Sequence, residues 1–310
     1  MKIAVIGVGM VGSTIAYTLA MSGMAGKIVL VDKDFKRAKA EAMDISHASV
    51  LGFGIKVEAG NYEDIKESNI VIVTAGANQK KGETRLDLLG RNVEIFKAII
   101  PEIKKYAKDS ILIVATNPVD IMTEVAYKLS LFDKAKVFGT GTVLDSSRFR
   151  SVLGAKLGIS SRSVHANVIG EHGDSEVLLW SGAVVGTSPV DRIAKDVCCD
   201  LNEKLKSKIE NEVKNSAYEI IEGKGSTYFG IASAVRYIVK AIIDDSHAIL
   251  NVSSHHEKGI GGFDDVCYAM PSIVGKNGVI KVLKPVMNEA EEQELVRSVK
   301  ILYETGVGVL

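Results

Sequence analysis

The chain has 310 residues, of which 46% are hydrophobic, so it can bury a full core and should hold about two domains. Its 38 Lys and Arg residues balance 38 Asp and Glu residues without a block of like charges. This excludes the basic face that nucleic acid or an anionic membrane would require, and favours a small neutral or acidic solute. The three cysteines fit neither a disulfide framework nor a zinc site, which indicates core residues or thiols in a reducing cytosol, and we expect a cytoplasmic protein.

The N-terminal segment carries no charge between residues 3 and 26, which could indicate a signal peptide or a membrane span. The order of its residues indicates otherwise. "KIAVIG" is a short β-branched run, "GVGMVG" places three glycines in mid-segment, and "STIAYTLAMSG" resumes with helical spacing. The pattern predicts a strand, a turn and a helix of a soluble domain.

The rest of the first half repeats this alternation. Apolar runs that end in small or polar residues recur at 27–32, 69–76, 110–117 and 135–141, and helical stretches separate most of them. Strands that are apolar throughout must be covered on both faces. The pattern therefore predicts an α/β fold with a doubly wound parallel sheet of the Rossmann type.

The second half has a different rhythm. Long helical segments are followed by strand-like runs near 246–254 and 266–283, and then by a final helix that Asn288 and Glu291 should open with a capping box. We expect the Rossmann-type domain to cover residues 1–141 and an α+β substrate domain to cover residues 142–310, with a cleft between them.

Three glycines follow the first strand in the spacing G-x-G-x-x-G. Gly7 allows a tight turn, Gly9 lets a pyrophosphate approach, and Gly12 lets the helix pack on the strand. The triple alone could be a structural turn. Asp32 ends the second strand, where a carboxylate can accept hydrogen bonds from ribose hydroxyls and repel a 2′-phosphate. The sequence therefore favours NAD over NADP, although the neighbouring Lys33 weakens that choice.

The window "GEHGDSE", residues 170–176, concentrates acids around His172. Beside a bound dinucleotide, a histidine could donate the proton that an alkoxide needs after hydride transfer. The residues alone leave other readings open: a zinc ligand beside Glu171 and Asp174, a core histidine, or a loop residue. Tetrahedral zinc spacing is lacking, so we expect no metal site.

Six motifs in order extend this reading over nearly the whole chain: "GVGMVGS", "TAGANQKKGETRLDLLGRN", "ATNPVDIMT", "GTGTVLDSSRFR", "IGEHGDSE" and "KGSTYFGIA". With them the sequence resembles the lactate/malate dehydrogenase family, in particular its bacterial L-lactate dehydrogenases. The resemblance implies reversible, NADH-dependent reduction of pyruvate to L-lactate.

The resemblance also implies roles for four charged residues. His172 would be the acid/base, and Asp145 would hold its ring and favour its protonated form. Arg148 would pair with the substrate carboxylate through two parallel hydrogen bonds. Loop 77–85 would close over the substrate so that Arg85 polarises the carbonyl group.

Substrate choice would depend on Gln79. Malate dehydrogenases of the family carry arginine there for the second carboxylate of oxaloacetate, and a neutral glutamine favours pyruvate.

Other positions match the family's substrate and cofactor contacts. Asn117, before a Pro118 bond expected to be cis in the family, would contact nicotinamide and substrate, and Thr227 would form part of the pocket wall. The implied NAD contacts are Gly7, Gly9, Met10, Val11, Gly12, Asp32, Ala75, Gly76, Asn117 and Ile231.

Arg150 and His165 match positions where bacterial members bind fructose 1,6-bisphosphate at a subunit interface. The alternative is that both are ordinary polar residues. A homotetramer or dimer is implied by the resemblance alone. We assign the remaining histidines, including His255 and His256, to the surface or to turns.

Several other functions remain open from the sequence. A malate dehydrogenase is disfavoured by Gln79, and a branched 2-hydroxyacid dehydrogenase would need a roomier pocket. NAD-dependent glycosidases are disfavoured, because they depend on a divalent metal, whereas the histidine and two arginines here suit a carboxylate. A catalytically silent NAD-binding protein would have no need to keep His172, Asp145, Arg148 and Arg85 together.

Overall fold

A computed structural model describes residues 1–77 and 85–309, except for the side chains of Arg85 and Leu86. Two predicted site groups, Gln79 and the guanidinium of Arg85, therefore lie outside the described residues. Within those residues, none of the helices combines the length and the apolar character needed to cross a bilayer.

The first half alternates strands and helices, as its apolar runs predict. Its elements are β1 (Lys2–Ile6), α1 (Met10–Met21), β2 (Lys27–Val31), α2 (Phe35–Val50), β3 (Lys56–Ala59), β4 (Ile70–Val73), α3 (Arg85–Tyr106), β5 (Ile111–Val114), α4 (Val119–Ser130) and β6 (Val137–Gly139). The strands pair in parallel in the order β3-β2-β1-β4-β5-β6. This is the strand order of the doubly wound dinucleotide-binding fold.

The parallel sheet is buried on both faces. Ala4 and Ile6 of β1 pack into one apolar cluster with α3 and α4, whereas Ile3 and Val5 pack into another with α1 and α8. Successive strand residues point to opposite faces, so a strand covered on both sides must be apolar at every position. This requirement explains why the strands could be found from their composition.

The second half begins with helix α5 and a set of short strands. Its elements are α5 (Val143–Leu157), β7 (Val164–His165), β8 (Val168–Ile169), β9 (Val177–Leu178), β10 (Val184–Val185), β11 (Ser188–Pro189), α6 (Val190–Asp196), α7 (Glu203–Lys224), α8 (Phe229–Ile243), β12 (Ala248–His256), β13 (Val266–Gly275), β14 (Gly278–Val282) and α9 (Glu289–Gly306). Strands β8 and β9 form an antiparallel hairpin that carries residues 170–176.

The strand-like runs of the second half extend the main sheet. Strand β12 pairs antiparallel with β6, where Ser253 lies opposite Gly139, and β13 and β14 follow outward. The domain division at residue 141 stays a prediction, and it falls between strands that share one nine-stranded sheet.

One local prediction is confirmed. Helix α9 begins with a capping box in which Asn288 accepts from the Glu291 backbone N–H, and the Glu291 side chain accepts from the Asn288 N–H. One assignment is wrong: His255 and His256 lie in β12 and are not surface or turn residues. The His255 side chain is 5% exposed, and its ring stacks on Tyr127 at 4.4 Å between centroids.

Candidate active site

The glycine-rich loop between β1 and α1 has the shape that a dinucleotide needs. Gly7 has a φ of +93°, and a Cβ atom there would lie 2.5 Å from the Ala75 backbone nitrogen. A Cβ atom on Gly12 would lie 2.0 Å from the Gly7 carbonyl oxygen, so only glycine lets α1 approach β1 this closely. Around Gly9 the space is open to 4 Å. The loop therefore leaves a phosphate-sized approach to the N-terminus of α1.

Asp32 braces this loop from the end of β2. Its Oδ2 accepts a hydrogen bond of 2.6 Å from the Val8 backbone N–H, and its Oδ1 accepts one of 2.9 Å from the Asp34 N–H. An ionised carboxylate offers about four acceptor positions. Asp32 can therefore hold the loop and still accept hydrogen bonds from ribose hydroxyls.

Asn92 of α3, which the sequence did not single out, links the loops that follow β4 and β5. The side chain of this buried residue accepts from the Ala77 N–H at 2.7 Å and donates to the Asn117 carbonyl at 2.8 Å. The Asn117–Pro118 peptide bond is cis. Asn92 thus holds two segments with predicted cofactor contacts, one next to Gly76 and one at Asn117, together at the carboxyl edge of the sheet. The only signal for it was its place at the end of the "TAGANQKKGETRLDLLGRN" motif.

Helix α5 and the β8–β9 hairpin bring His172, Asp145 and Arg148 together. The His172 Nδ1 atom lies 2.6 Å from Asp145 Oδ2, and Arg148 Nη1 donates to Asp145 Oδ1 at 2.7 Å. The Asp145 side chain is 2% exposed, whereas those of Arg148 and His172 are 13% and 25% exposed. One buried carboxylate therefore orients both partners, which remain accessible from the site.

The electrostatics of this group favour an imidazolium. Burial alone would lower the pKa of His172, but the charge and hydrogen bond of Asp145, with smaller contributions from Asp120 and Glu176, raise it to about 9. Burial would raise the pKa of Asp145, but His172 and Arg148 together lower it below its usual range. At neutral pH the group therefore holds an imidazolium beside a carboxylate.

Asp120 is a second residue that the sequence did not reveal. It is 1% exposed in α4, and its Oδ2 accepts a 2.7 Å hydrogen bond from the backbone N–H of His172. Burial raises the pKa of Asp120 to about 6, against the hydrogen bonds that favour its ionised form. Asp120 of α4 therefore fixes the backbone of His172, whereas Asp145 of α5 orients its ring.

Asp145, His172 and Glu176 are close enough to be compared with a metal site. One ligand atom from each lies within 4.8 Å of the others. However, the Asp145 oxygens already contact Arg148 and His172. A cation would have to displace a guanidinium from this carboxylate, so the arrangement suits an anionic substrate better than a metal.

The remaining predicted residues lie on neighbouring elements. Thr227 is half-buried between α7 and α8. Val11 and Ile231 pack against the same apolar cluster, and Met10 is 51% exposed at the start of α1. His165 is exposed in β7.

Two models of known protein domains together match nearly the whole chain. Residues 1–139 match "lactate/malate dehydrogenase, NAD binding domain", and residues 142–305 match "lactate/malate dehydrogenase, alpha/beta C-terminal domain". The chain belongs to the lactate/malate dehydrogenase family. It is accordingly an NAD-dependent oxidoreductase, and the predicted cofactor is confirmed.

Individual relatives match over nearly their full length. The L-lactate dehydrogenase of Acetivibrio thermocellus is 50% identical over 304 residues, covering 98% of this chain and 95% of the relative. That of Clostridium perfringens is 46% identical over 301 residues, covering 97% and 95%.

Two solved structures confirm the fold. The minor L-lactate dehydrogenase of Enterococcus mundtii in a ligand-bound form has a TM-score of 0.94 at 39% identity. A lactate dehydrogenase from a Medee basin deep-sea metagenome library has a TM-score of 0.94 at 38% identity. Each match covers 98% of this chain and 97% of the other chain.

Proposed function

We propose that this chain is an L-lactate dehydrogenase that reduces pyruvate with NADH and a proton to L-lactate and NAD⁺, and catalyses the reverse reaction. The supporting observation is that one buried carboxylate, Asp145, holds His172 and Arg148 side by side. One side chain can release a proton while the other binds a carboxylate. A 2-keto acid needs both groups within reach of its adjacent carbons.

Arg148 binds and orients the substrate in this proposal. Its Nη1 is committed to Asp145, which fixes the plane of the guanidinium. The other edge of the planar group can donate two parallel hydrogen bonds to the substrate carboxylate. That pairing also turns the adjacent carbonyl group toward the histidine.

His172 delivers the proton. Because Nδ1 lies 2.6 Å from the Asp145 carboxylate, Nδ1 keeps its hydrogen and Nε2 carries the proton that moves. When bound, NADH would supply the hydride that the carbonyl carbon accepts. His172 then gives its Nε2 proton to the carbonyl oxygen and becomes neutral, and in lactate oxidation it takes a proton back. We assign polarisation of the carbonyl and exclusion of water to Arg85 and loop 77–85 from the resemblance alone.

The substrate assignment depends on Gln79, and its test is a change of that residue. We expect kcat/KM for pyruvate to exceed that for oxaloacetate in the unsubstituted enzyme. Gln79→Arg should shift the ratio toward oxaloacetate by about tenfold or more, because a guanidinium can pair with the second carboxylate. Gln79→Met, which is also uncharged, serves as the control. If the Arg variant leaves the ratio unchanged, or the unsubstituted enzyme prefers oxaloacetate, the assignment is wrong.

We further propose a homotetramer that fructose 1,6-bisphosphate stabilises. The Arg150 Nε donates to the Ala166 carbonyl at 2.9 Å, and the residue lines a cavity of about 250 Å³ between α5 and α8. Arginine and an exposed histidine such as His165 suit phosphate. Sedimentation and pyruvate kinetics at millimolar bisphosphate test this proposal. We expect more tetramer and a lower KM, and Arg150→Gln should remove both effects. If the bisphosphate changes neither the KM for pyruvate nor the fraction of tetramer, the proposal is wrong.

A further inference from the structure

Glu176 is a buried acid that the mechanism above does not use. It is the last residue of the hairpin loop before β9, and it is 5% exposed. Its carboxylate lies within 4.8 Å of ligand atoms of both Asp145 and His172. Its Oε1 is buried and makes no hydrogen bond to the described residues. An acid in this position must act on its neighbours mainly through its charge.

The charged groups that act most strongly on Glu176 come from three elements, while Glu171, Asp174, Glu210 and, on α9, Glu294 and Arg297 line the cavity beside it. Helix α5 contributes Asp145 and Arg148, the hairpin contributes His172, and α7 contributes Lys214. Asp120 of α4 also acts on His172. Three acids, Asp145, Asp120 and Glu176, thus act on one imidazole, and the cations Arg148 and Lys214 act on Glu176.

This neighbourhood makes the charge of Glu176 depend on pH in the neutral to alkaline range. Burial, and then repulsion from Asp145, raise its pKa to about 8, against the effect of His172, Lys214 and Arg148. The neutral carboxyl gains its negative charge as the pH rises toward the range in which His172 would lose its proton. The new negative charge on Glu176 then stabilises the imidazolium of His172.

We propose that Glu176 is a positioning residue that extends to higher pH the range in which His172 stays protonated. The consequence for the reaction rests on the proposed function, because it concerns the proton that His172 gives to pyruvate. Asp145 orients the ring through a hydrogen bond, whereas Glu176 adds a charge that responds to pH. The two acids therefore have distinct roles around one histidine.

The test replaces Glu176 by glutamine, which keeps the shape and removes the charge. We expect the His172 pKa to fall by roughly one pH unit. The alkaline limb of kcat/KM for pyruvate and the acid limb for lactate oxidation should both move to lower pH by that amount. The control is Glu294→Gln, an exposed acid on α9 that borders the same cavity of about 430 Å³ as Glu176. It should leave both limbs in place.

A direct readout is NMR titration of the His172 ring in the cofactor-free protein, assigned with His172→Gln. This measurement needs no turnover, so it decides the inference even if the protein fails to reduce pyruvate. Unchanged His172 titration in Glu176→Gln would overturn the proposal. If that variant does not fold, the unsubstituted protein decides. Its His172 signal must show a second inflection where Glu176 titrates, and a curve for one isolated proton would overturn the proposal.

Discussion

Replacing Asp145 by asparagine tests the electrostatic basis of the proposed chemistry. His172 has a pKa of about 9 beside Asp145, against an ordinary value of about 6.5, a difference worth about 3 kcal/mol in favour of the imidazolium. At pH 7.5 about 97% of the histidine is protonated at the raised pKa, and only about 9% at the ordinary one. The lost charge alone should therefore lower kcat/KM for pyruvate about tenfold.

The loss should be larger, because the amide also changes the hydrogen bond. An asparagine amide group that donates to Nδ1 would disfavour the neutral ring that forms after proton transfer, because that ring must keep its hydrogen on Nδ1 once Nε2 has given up its proton. Positioned acid catalysis contributes about 10²- to 10⁴-fold, so we expect a total fall of roughly 10³-fold at pH 7.5. The assay is NADH absorbance with pyruvate, together with NADH affinity, which should be retained. Asp109→Asn, an exposed acid between α3 and β5, is the control for charge. A rate within threefold of the unsubstituted enzyme would refute the reasoning.

Three further outcomes follow from the geometry. Gly9→Ala should keep the melting temperature but weaken NADH binding about tenfold, because its Cβ enters the open space beside the N-terminus of α1. Gly12→Ala should destabilise the fold itself, because its Cβ would collide with the Gly7 backbone. Equal melting temperatures for both variants would contradict this distinction. In the unsubstituted enzyme, kcat/KM for pyruvate should fall as the pH rises through about 9, when His172 loses its proton. A fall near pH 6.5 would contradict the raised pKa of His172. Burial lowers the pKa of His256 to about 4, so the unfolded chain binds a proton there before the folded one does. Stability should therefore drop by about 3 kcal/mol between pH 6.5 and 4, and His256→Gln should show a smaller drop in urea titrations.

The main sheet could be predicted because it is covered on both faces. Strands such as β4 and β5 read as continuous apolar runs, and the helices between them carry clear apolar stripes. The strands β7 to β11 have two residues each, so no periodicity can reveal them. Their pairing depends on tertiary contacts. The antiparallel extension of the sheet through β12 is likewise decided by a contact between distant segments, and no local pattern in the sequence predicts it.

The site shows a similar division. His172 stood out because acids and imidazole are concentrated in one short window. Arg148 was assigned only from the family resemblance, since "DSSR" by itself is equally typical of a surface ion pair. Asn92, Asp120 and Glu176 could not be identified, because each acts through a contact with a residue far away in the sequence or with the fold around it. A buried polar residue in a helix looks the same in sequence as an exposed one.

The most direct test of the account compares NADH consumption by the unsubstituted protein and by His172→Gln, with pyruvate as the substrate. We predict that the unsubstituted protein consumes one NADH for each L-lactate formed. The variant should bind NADH with similar affinity and turn over at least about 10²-fold more slowly. Equal rates in the two proteins, or no consumption of NADH with pyruvate by the unsubstituted one, would contradict the account.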